Sequence, residues 1–348
     1  MIRSFTLRDI PLVHRLSEQG VVFNTKSALI QDVHPLREAL VYMLIGGEFP
    51  TYVWRADNGS GVGFAQLRQE EDETRAHILC LGSATENQQS QETADDVLSE
   101  DMWIAFLEQV VKRAGEKGIQ SLIAEVDEFG DELTTLRHAG FAVYTRQDIW
   151  AFDWQNSSVP ENDQLRLVKA TAEDDWDINL LYANIVPPLI QLVEPAPTGH
   201  DLSQIWLLRE GNELAAFLHC TDGPAGTWAR LFVHPNAHAR GKDIIQAAVR
   251  TIPQNRTRPL YYCVRRYQSW MQSALGDAGF AHMSSQAMMV RHTVKHTRKL
   301  VPTLSEEMKK KAVTVNRHWF DSPTESQPKP VLEEGTFSKN YQTDKQSK

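Results

Sequence analysis

Hydrophobic positions along this chain switch between a period of about two and a period of about 3.6, and the switches mark out its elements. Residues 2–16 (IRSFTLRDIPLVHRL) open as a short strand, turn at Thr6 to Asp9 and continue at helical spacing. Thr6 and Asp9 offer a hydroxyl and a carboxylate for the helix start. Two strand-like runs follow, residues 52–55 and 61–67, separated by the turn sequence Asp57-Asn58-Gly59. A third strand is expected at residues 76–81. Trp103, Phe106, Leu107, Val110 and Val111 then recur at helical spacing, ahead of an apolar strand at 121–126. A second helix ends in Ala139-Gly140-Phe141, and a terminal strand is expected at 148–153.

The second half of the chain repeats this order. Residues 165–181 read as strand, turn and helix, with Thr171 placed to cap and Glu173, Asp174 and Asp175 near the positive end of the helix dipole. Residues 205–209 and 213–219 flank Glu210-Gly211-Asn212, and a strand follows at 228–233. Ile244, Ile245, Ala248 and Val249 mark a helix, 260–264 a strand, Ala278-Gly279-Phe280 a second helix end, and 286–291 a terminal strand. The order β-α-β-β-β-α-β-α-β thus occurs twice. One Ala-Gly-Phe is only a helix C-cap followed by a core aromatic. Two of them at the same place in the same order point to duplication, with each terminal strand expected to close its own copy. The reading is an α/β protein of two tandem domains, 1–154 and 165–300, each a mixed sheet flanked by helices. They are joined by a polar linker at 155–164 and followed by a tail at 301–348 whose polarity and prolines predict disorder.

Composition narrows the function classes. Of the 348 residues, 41% are hydrophobic, enough for two modest cores, and the formal net charge is −9. Beyond Lys309, Lys310 and Lys311 there is no basic run, which argues against nucleic acid as a partner. No apolar run approaches the roughly 18 residues needed to span a bilayer, so no membrane partner is expected. Cys80, Cys220 and Cys263 sit in apolar strands without metal-ligand or C-x-x-C spacing. Reduced buried thiols and a cytoplasmic location are the expectation. Homo-oligomerisation stays open.

The doubled order, each copy ending in Gly-Phe and a closing strand, resembles the GNAT superfamily of acyl-CoA-dependent N-acyltransferases. The strongest local match lies in the second copy. There, Val233-His234-Pro235 followed by Ala239-Arg240-Gly241 resembles the end of the family's fourth strand and its pyrophosphate loop, Gln/Arg-x-x-Gly-x-Gly/Ala. Here that pattern runs His238-x-x-Gly241-x-Asp243. The resemblance implies acetyl-CoA or another acyl-CoA as co-substrate and a small-molecule or peptide amine as acceptor. The pantetheine arm would lie along Leu231, Phe232 and Val233. The pyrophosphate would meet His238, Ala239, Arg240, Gly241, Lys242 and Asp243, where backbone N–H groups and the helix dipole converge. The Asp243 carboxylate is repulsive there unless Arg240 or Lys242 offsets it. An ordinary strand-to-helix turn capped by Asp243 reads the same residues without a ligand. No such loop precedes the helix at Trp103, so the first copy reads as a structural partner of the second.

Acyl transfer to an amine needs the amine deprotonated, the thioester carbonyl polarised and the leaving thiolate protonated. The resemblance places the family's acidic Tyr at Leu136 and Leu275, and its Glu base at Ile78 and Arg230. All four are replaced. His219 and His234, near the ends of the third and fourth strands of the second copy, are the substitute candidates for catalysis. Tyr261, Tyr262 and Tyr267 are alternative donors, with Tyr261 and Tyr262 on opposite faces of their strand. Trp176, Trp206 and Trp228 read as core. Two functions therefore stay in play: an N-acyltransferase working through its C-terminal copy, or a non-catalytic ligand- or protein-binding module of the same fold.

Overall fold

A computed structural model describes residues 1–57, 59–70, 74–85, 99–154, 165–197, 203–252 and 258–293. The linker at 155–164 and the tail at 301–348, for which a polar connection and disorder are expected, lie outside the described residues. The first copy contains β1 (Ile2–Ser4), α1 (Ile10–Glu18), β2 (Val21–Val22), α2 (Thr25–Ile30), α3 (Pro35–Ile45), β3 (Thr51–Arg55), β4 (Gly61–Gln69), β5 (Arg75–Thr85), α4 (Glu100–Glu116), β6 (Ser121–Asp127), α5 (Asp131–His138) and β7 (Ala142–Phe152). The second contains β8 (Val168–Lys169), α6 (Asp175–Ile185), α7 (Pro188–Gln191), β9 (Ser203–Glu210), β10 (Glu213–Asp222), β11 (Thr227–Val233), α8 (Gly241–Thr251), β12 (Leu260–Arg265), α9 (Met271–Asp277) and β13 (Ala281–His292).

The repeat extends to the hydrogen bonds that start and stop helices. Thr6 N–H donates to Asp9 Oδ2 at 2.9 Å, and Thr171 N–H donates to Asp174 Oδ2 at 2.9 Å, the same capping box in each copy. At the other end, Gly140 and Gly279 adopt φ of 82° and 90°, the left-handed region that glycine alone enters freely. Phe141 N–H then reaches Leu136 O at 2.9 Å and Phe280 N–H reaches Leu275 O at 3.0 Å, closing both helices in the Schellman manner. Leu136 and Leu275 are consequently buried core residues.

Local periodicity misses β2, α2 and α3 between the first helix and the first hairpin, and α7 at the equivalent place in the second copy. Trp176 also departs from the reading, being 70% exposed, whereas Trp228 is buried.

The largest departure is topological. The described strands form one sheet in the order β1-β3-β4-β5-β6-β13-β7-β12-β11-β10-β9-β8, with β2 on β5, and residues 1–293 belong to one compact unit. Each terminal strand closes the other copy. β7 pairs antiparallel with β12, and β13 pairs antiparallel with β6. The two exchanged strands also pair with each other over nine residue pairs. Gln147 and Gln286, each seven residues beyond its copy's Gly, face one another in this seam, with Gln147 Nε2 donating to Gln286 Oε1 at 2.8 Å. Equivalent positions that meet define an approximate twofold axis through the sheet. The expectation that each copy is closed by its own last strand is thereby corrected. Hydrophobic alternation fixes which face of a strand is buried, not which edge it joins.

Two layers of helix cover the sheet. In the second copy α8 and α9 bury Leu218, Leu231, Val233 and Val264 on one face, while α6 and α7 bury Phe217 and Phe232 on the other. The first copy buries Leu67, Ile78 and Leu122 under α4 and α5, and Val53, Phe64 and Cys80 under α1 and α3. The three cysteines are buried free thiols.

Candidate functional site

Each copy has a place where two parallel neighbours part. β5 and β6 pair only at Arg75–Ser121, Ala76–Leu122 and His77–Ile123. β11 and β12 pair only at Thr227–Leu260, Trp228–Tyr261 and Ala229–Tyr262. Beyond these pairs the strands diverge, and the backbone groups that face the gap need other partners. Counted from the last pair of each, Leu79 stands two residues into the first gap and Leu231 two residues into the second.

The chain fills the first gap with its own backbone. β2 pairs with β5, and the next residue completes the bridge: Phe23 N–H donates to Leu79 O at 3.0 Å and Glu125 N–H donates to Phe23 O at 2.8 Å. Thr25 N–H donates to the Glu125 carboxylate at 3.0 Å, and Asn24 caps α2 through Ser27 N–H at 2.8 Å. On the other side Gly82 lets α1 and Phe64 approach β5, since a Cβ there would stand 2.6 Å from Leu16 O. The inserted segment is therefore held at both walls, at its cap and by the buried Phe23 ring.

The second gap is bridged differently. Leu231 O, as far past the last ladder pair as Leu79 O, accepts from the side-chain amide of Gln268 at 3.0 Å. Gln268 is buried in a single 3-10 turn, Arg266–Gln268, directly after β12. No backbone segment is shared between the two walls among the described residues.

Near this gap lies a buried polar cluster drawn from both copies. Glu194, in the segment after α7, pairs with Arg265 at 2.5 Å and with Arg230 at 3.3 Å. It also accepts from the Tyr144 hydroxyl at 2.6 Å. Burial opposes its charge, but Arg265 and Arg230 outweigh burial and hold the carboxyl at about 2. Arg265 continues to Gln147 Oε1 at 2.7 Å, where the Cys263 thiol also donates at 3.0 Å. The ion pairs thus run from the mouth of the gap to the twofold axis.

The predicted site residues divide. His219 lies opposite Arg230 in the β10–β11 register, on the α6 face. Burial, then Lys26 and Arg230, pull its pKa down to about 3, so it is neutral at pH 7 and a poor proton acceptor. Its Nδ1 has no hydrogen-bond partner. His234 sits half-buried at the end of β11, where Nδ1 accepts from Asn236 N–H at 3.2 Å. In the neutral ring this leaves the proton on Nε2 as a hydrogen-bond donor, and no free ring nitrogen to abstract a proton from an amine. Leu231 and Val233 face the α8 core, and Phe232 stacks on Phe217 at 4.5 Å on the opposite side.

The predicted pyrophosphate loop is a 3-10 turn, Pro235–Arg240, running into α8. Gly241 N–H is taken by His238 O, Arg240 pairs with Glu210, and His238 stacks on Trp270 at 4.0 Å. Ala239 and Lys242 are exposed, and Asp243 lies in the first turn of α8. A Cβ at Gly241 would stand 2.5 Å from the Trp270 ring. The requirement for glycine here therefore comes from packing, whatever the turn binds. Tyr262 is fully buried and Tyr261 partly so, as strand alternation predicts. Gln268, Glu194, Arg265 and Lys26 escaped the sequence reading. Only Glu194 carried a signal, as a lone carboxylate within the apolar stretch Leu192-Val193-Glu194-Pro195.

No family model matches the sequence, and no curated protein matches it. Solved structures do resemble the fold. One is a tandem GNAT protein from the clavulanic acid biosynthesis pathway, at 12% identity and a TM-score of 0.49, covering 85% of this chain and 99% of its own. A second is a GCN5-related N-acetyltransferase from Sphaerobacter thermophilus, at 10% identity and a TM-score of 0.47, covering 85% and 96%. A third is an acetyltransferase of the GNAT family from Colwellia psychrerythraea, at 12% identity and a TM-score of 0.41, covering 84% and 99%. GNAT-fold acetyltransferases, one of them tandem, are thus among the structures this chain resembles. Likeness of fold at such identity leaves function to be argued from the site. Among the described residues no cluster of His, Cys, Asp and Glu could hold a metal ion, and no helix is long and apolar enough to cross a membrane.

Proposed function

We propose that this protein is an acyl-CoA-dependent N-acyltransferase whose C-terminal copy takes the cofactor, with the N-terminal copy in a structural role. The observation that carries this reading is the contrast between the two gaps. Filling by backbone at Phe23 leaves the first gap no room for a ligand without unfolding β2. The second gap opens on rotation of one side chain, Gln268, which frees Leu231 O to bind an amide of a pantetheine arm. The start of α8 lies beyond β11, where its first-turn N–H groups favour a phosphate. His234 Nε2–H, at the end of β11, would hydrogen-bond the leaving thiolate, which takes its proton from water. The acceptor amine would approach from the α6 face, past Arg230 and His219. Neither of these is a base, so the amine must be deprotonated by water, and slow turnover is expected.

The second reading is a non-catalytic ligand-binding module. It is favoured by Arg230, which stands at the family's Glu position and is tied to Glu194. Calorimetry with acetyl-CoA on the wild type and on Gln268→Ala tests the first. Removing one competing neutral hydrogen bond, worth about 1 kcal/mol, should tighten binding about fivefold. If neither protein binds acetyl-CoA, the acyltransferase reading fails and the binding module takes its place.

A further inference from the structure

The face of the second copy beside the gap receives a helix from the first. Ile30 of α2 packs against Trp228, and Ile30 O accepts from Ala225 N–H at 3.1 Å. Gly223 permits this close approach, because a Cβ there would lie 2.0 Å from Ile30 O. Lys26 stands one turn before Ile30 on the same side of α2. Arg230 stands two residues beyond Trp228 on the same face of β11, opposite His219. Packing of α2 therefore brings the Lys26 ammonium toward Arg230 and His219.

Charge there is unbalanced. Four cations, Lys26, Arg68, Arg230 and Arg265, gather around two carboxylates, Glu125 and Glu194. Glu194 is committed to Arg265, Arg230 and Tyr144, and Glu125 to Thr25 N–H and Gln147. Arg68 reaches the Ser27 hydroxyl at 3.4 Å, and neither it nor Lys26 meets a carboxylate among the described residues. Burial, Arg68 and Arg230 lower the Lys26 pKa to about 8, so it is still mostly charged at pH 7. On the same side His219 Nδ1 is buried without a partner, as is the Tyr267 hydroxyl, which senses Arg230 and Arg265. Half-buried cations without a carboxylate partner, beside orphaned buried polar atoms, are costly, and such groups ordinarily mark a missing ion or water.

The geometry points to an oxyanion site between the two copies, in which Lys26 and Arg68 of the first and Arg230 and His219 of the second receive a carboxylate or phosphate group. Lys26 and the two guanidiniums supply charge. The neutral imidazole can place its single N–H on Nδ1 and donate it. In the acyltransferase reading this group would belong to the acceptor, giving an amine that also carries an acid. The site itself does not depend on that reading.

The test uses the full chain without acyl-CoA, titrated with inorganic phosphate or with acetate against chloride at matched ionic strength. Thermal midpoints and calorimetry are the readouts. One or both anions should raise the midpoint saturably, by mass action. Lys26→Met and Lys26→Gln should weaken binding by roughly tenfold or more, and His219→Gln should weaken it less. Exposed Lys169→Met should bind like wild type. Response to phosphate alone assigns a phosphate ligand, and response to acetate alone a carboxylate; either supports the site. It is overturned if neither anion gives a saturable shift. It is equally overturned if the Lys26 and His219 variants bind like wild type, or if Lys169→Met weakens binding as much as they do. Because acetyl-CoA is absent throughout, failure here leaves the Gln268 experiment intact.

Discussion

The two gaps began as copies of one another and now differ in what spans them. In the first, an inserted backbone segment makes ladder-like bonds to both walls through Phe23. In the second, one side-chain amide reaches one wall. A backbone bridge is fixed by its chain connections at both ends, and breaking it unfolds its neighbours. A glutamine swings away by side-chain rotation. The same fold can thus close one gap with added backbone, at β2 and α2, and span the other with a side chain.

The sharpest way to break the second gap is through the ion pairs beside it. Glu194→Ala leaves Arg265 and Arg230 without their carboxylate and should cost about 3–5 kcal/mol in urea denaturation. A milder form is acid. The folded carboxyl sits at about 2, below its ordinary 4.5, so its stabilising contribution is full above 4.5 and fades as pH falls toward 2. A midpoint of urea unfolding that is flat from pH 5 to about pH 2.5 would contradict the ion-pair geometry.

Phe23→Ala tests the first gap. Losing a buried ring should cost about 3 kcal/mol, yet the mutant should gain no acetyl-CoA binding, because the bridge is made by backbone. Calorimetry that detects acetyl-CoA at a site insensitive to Gln268→Ala would show the first gap open and erase the contrast.

The smallest effect belongs to Asp243→Gly. Removing a carboxylate from the first turn of α8 should tighten acetyl-CoA about twofold to fivefold, in line with roughly 0.3–1 kcal/mol for a charge at a helix terminus. The variant should also lose a little thermal stability, since an acid there favours the helix itself. Unchanged affinity would place the phosphates elsewhere. Gly241→Trp is a poor probe by comparison, because it strikes Trp270 whether or not phosphate binds.

Sequence alone determined the order of elements, the duplication and the helix ends. These rest on local rules: the period of apolar residues, a Thr-x-x-Asp cap and a glycine at positive φ are each decided within a few residues. It also singled out residues beside the second gap, since Arg230 and the end of β11 flank it and His219 stands opposite Arg230. Tertiary structure alone decided that β7 and β13 change places, that Phe23 fills one gap, and that Gln268, Glu194 and Lys26 stand at the other. The reason is physical. Backbone hydrogen bonds are blind to side-chain identity, so two similar terminal strands fit either copy's edge, and only the packing of the whole sheet selects between them. Glu194 and Lys26 come from segments without strong periodicity, and they acquire meaning only when two copies, distant in sequence, meet across one sheet.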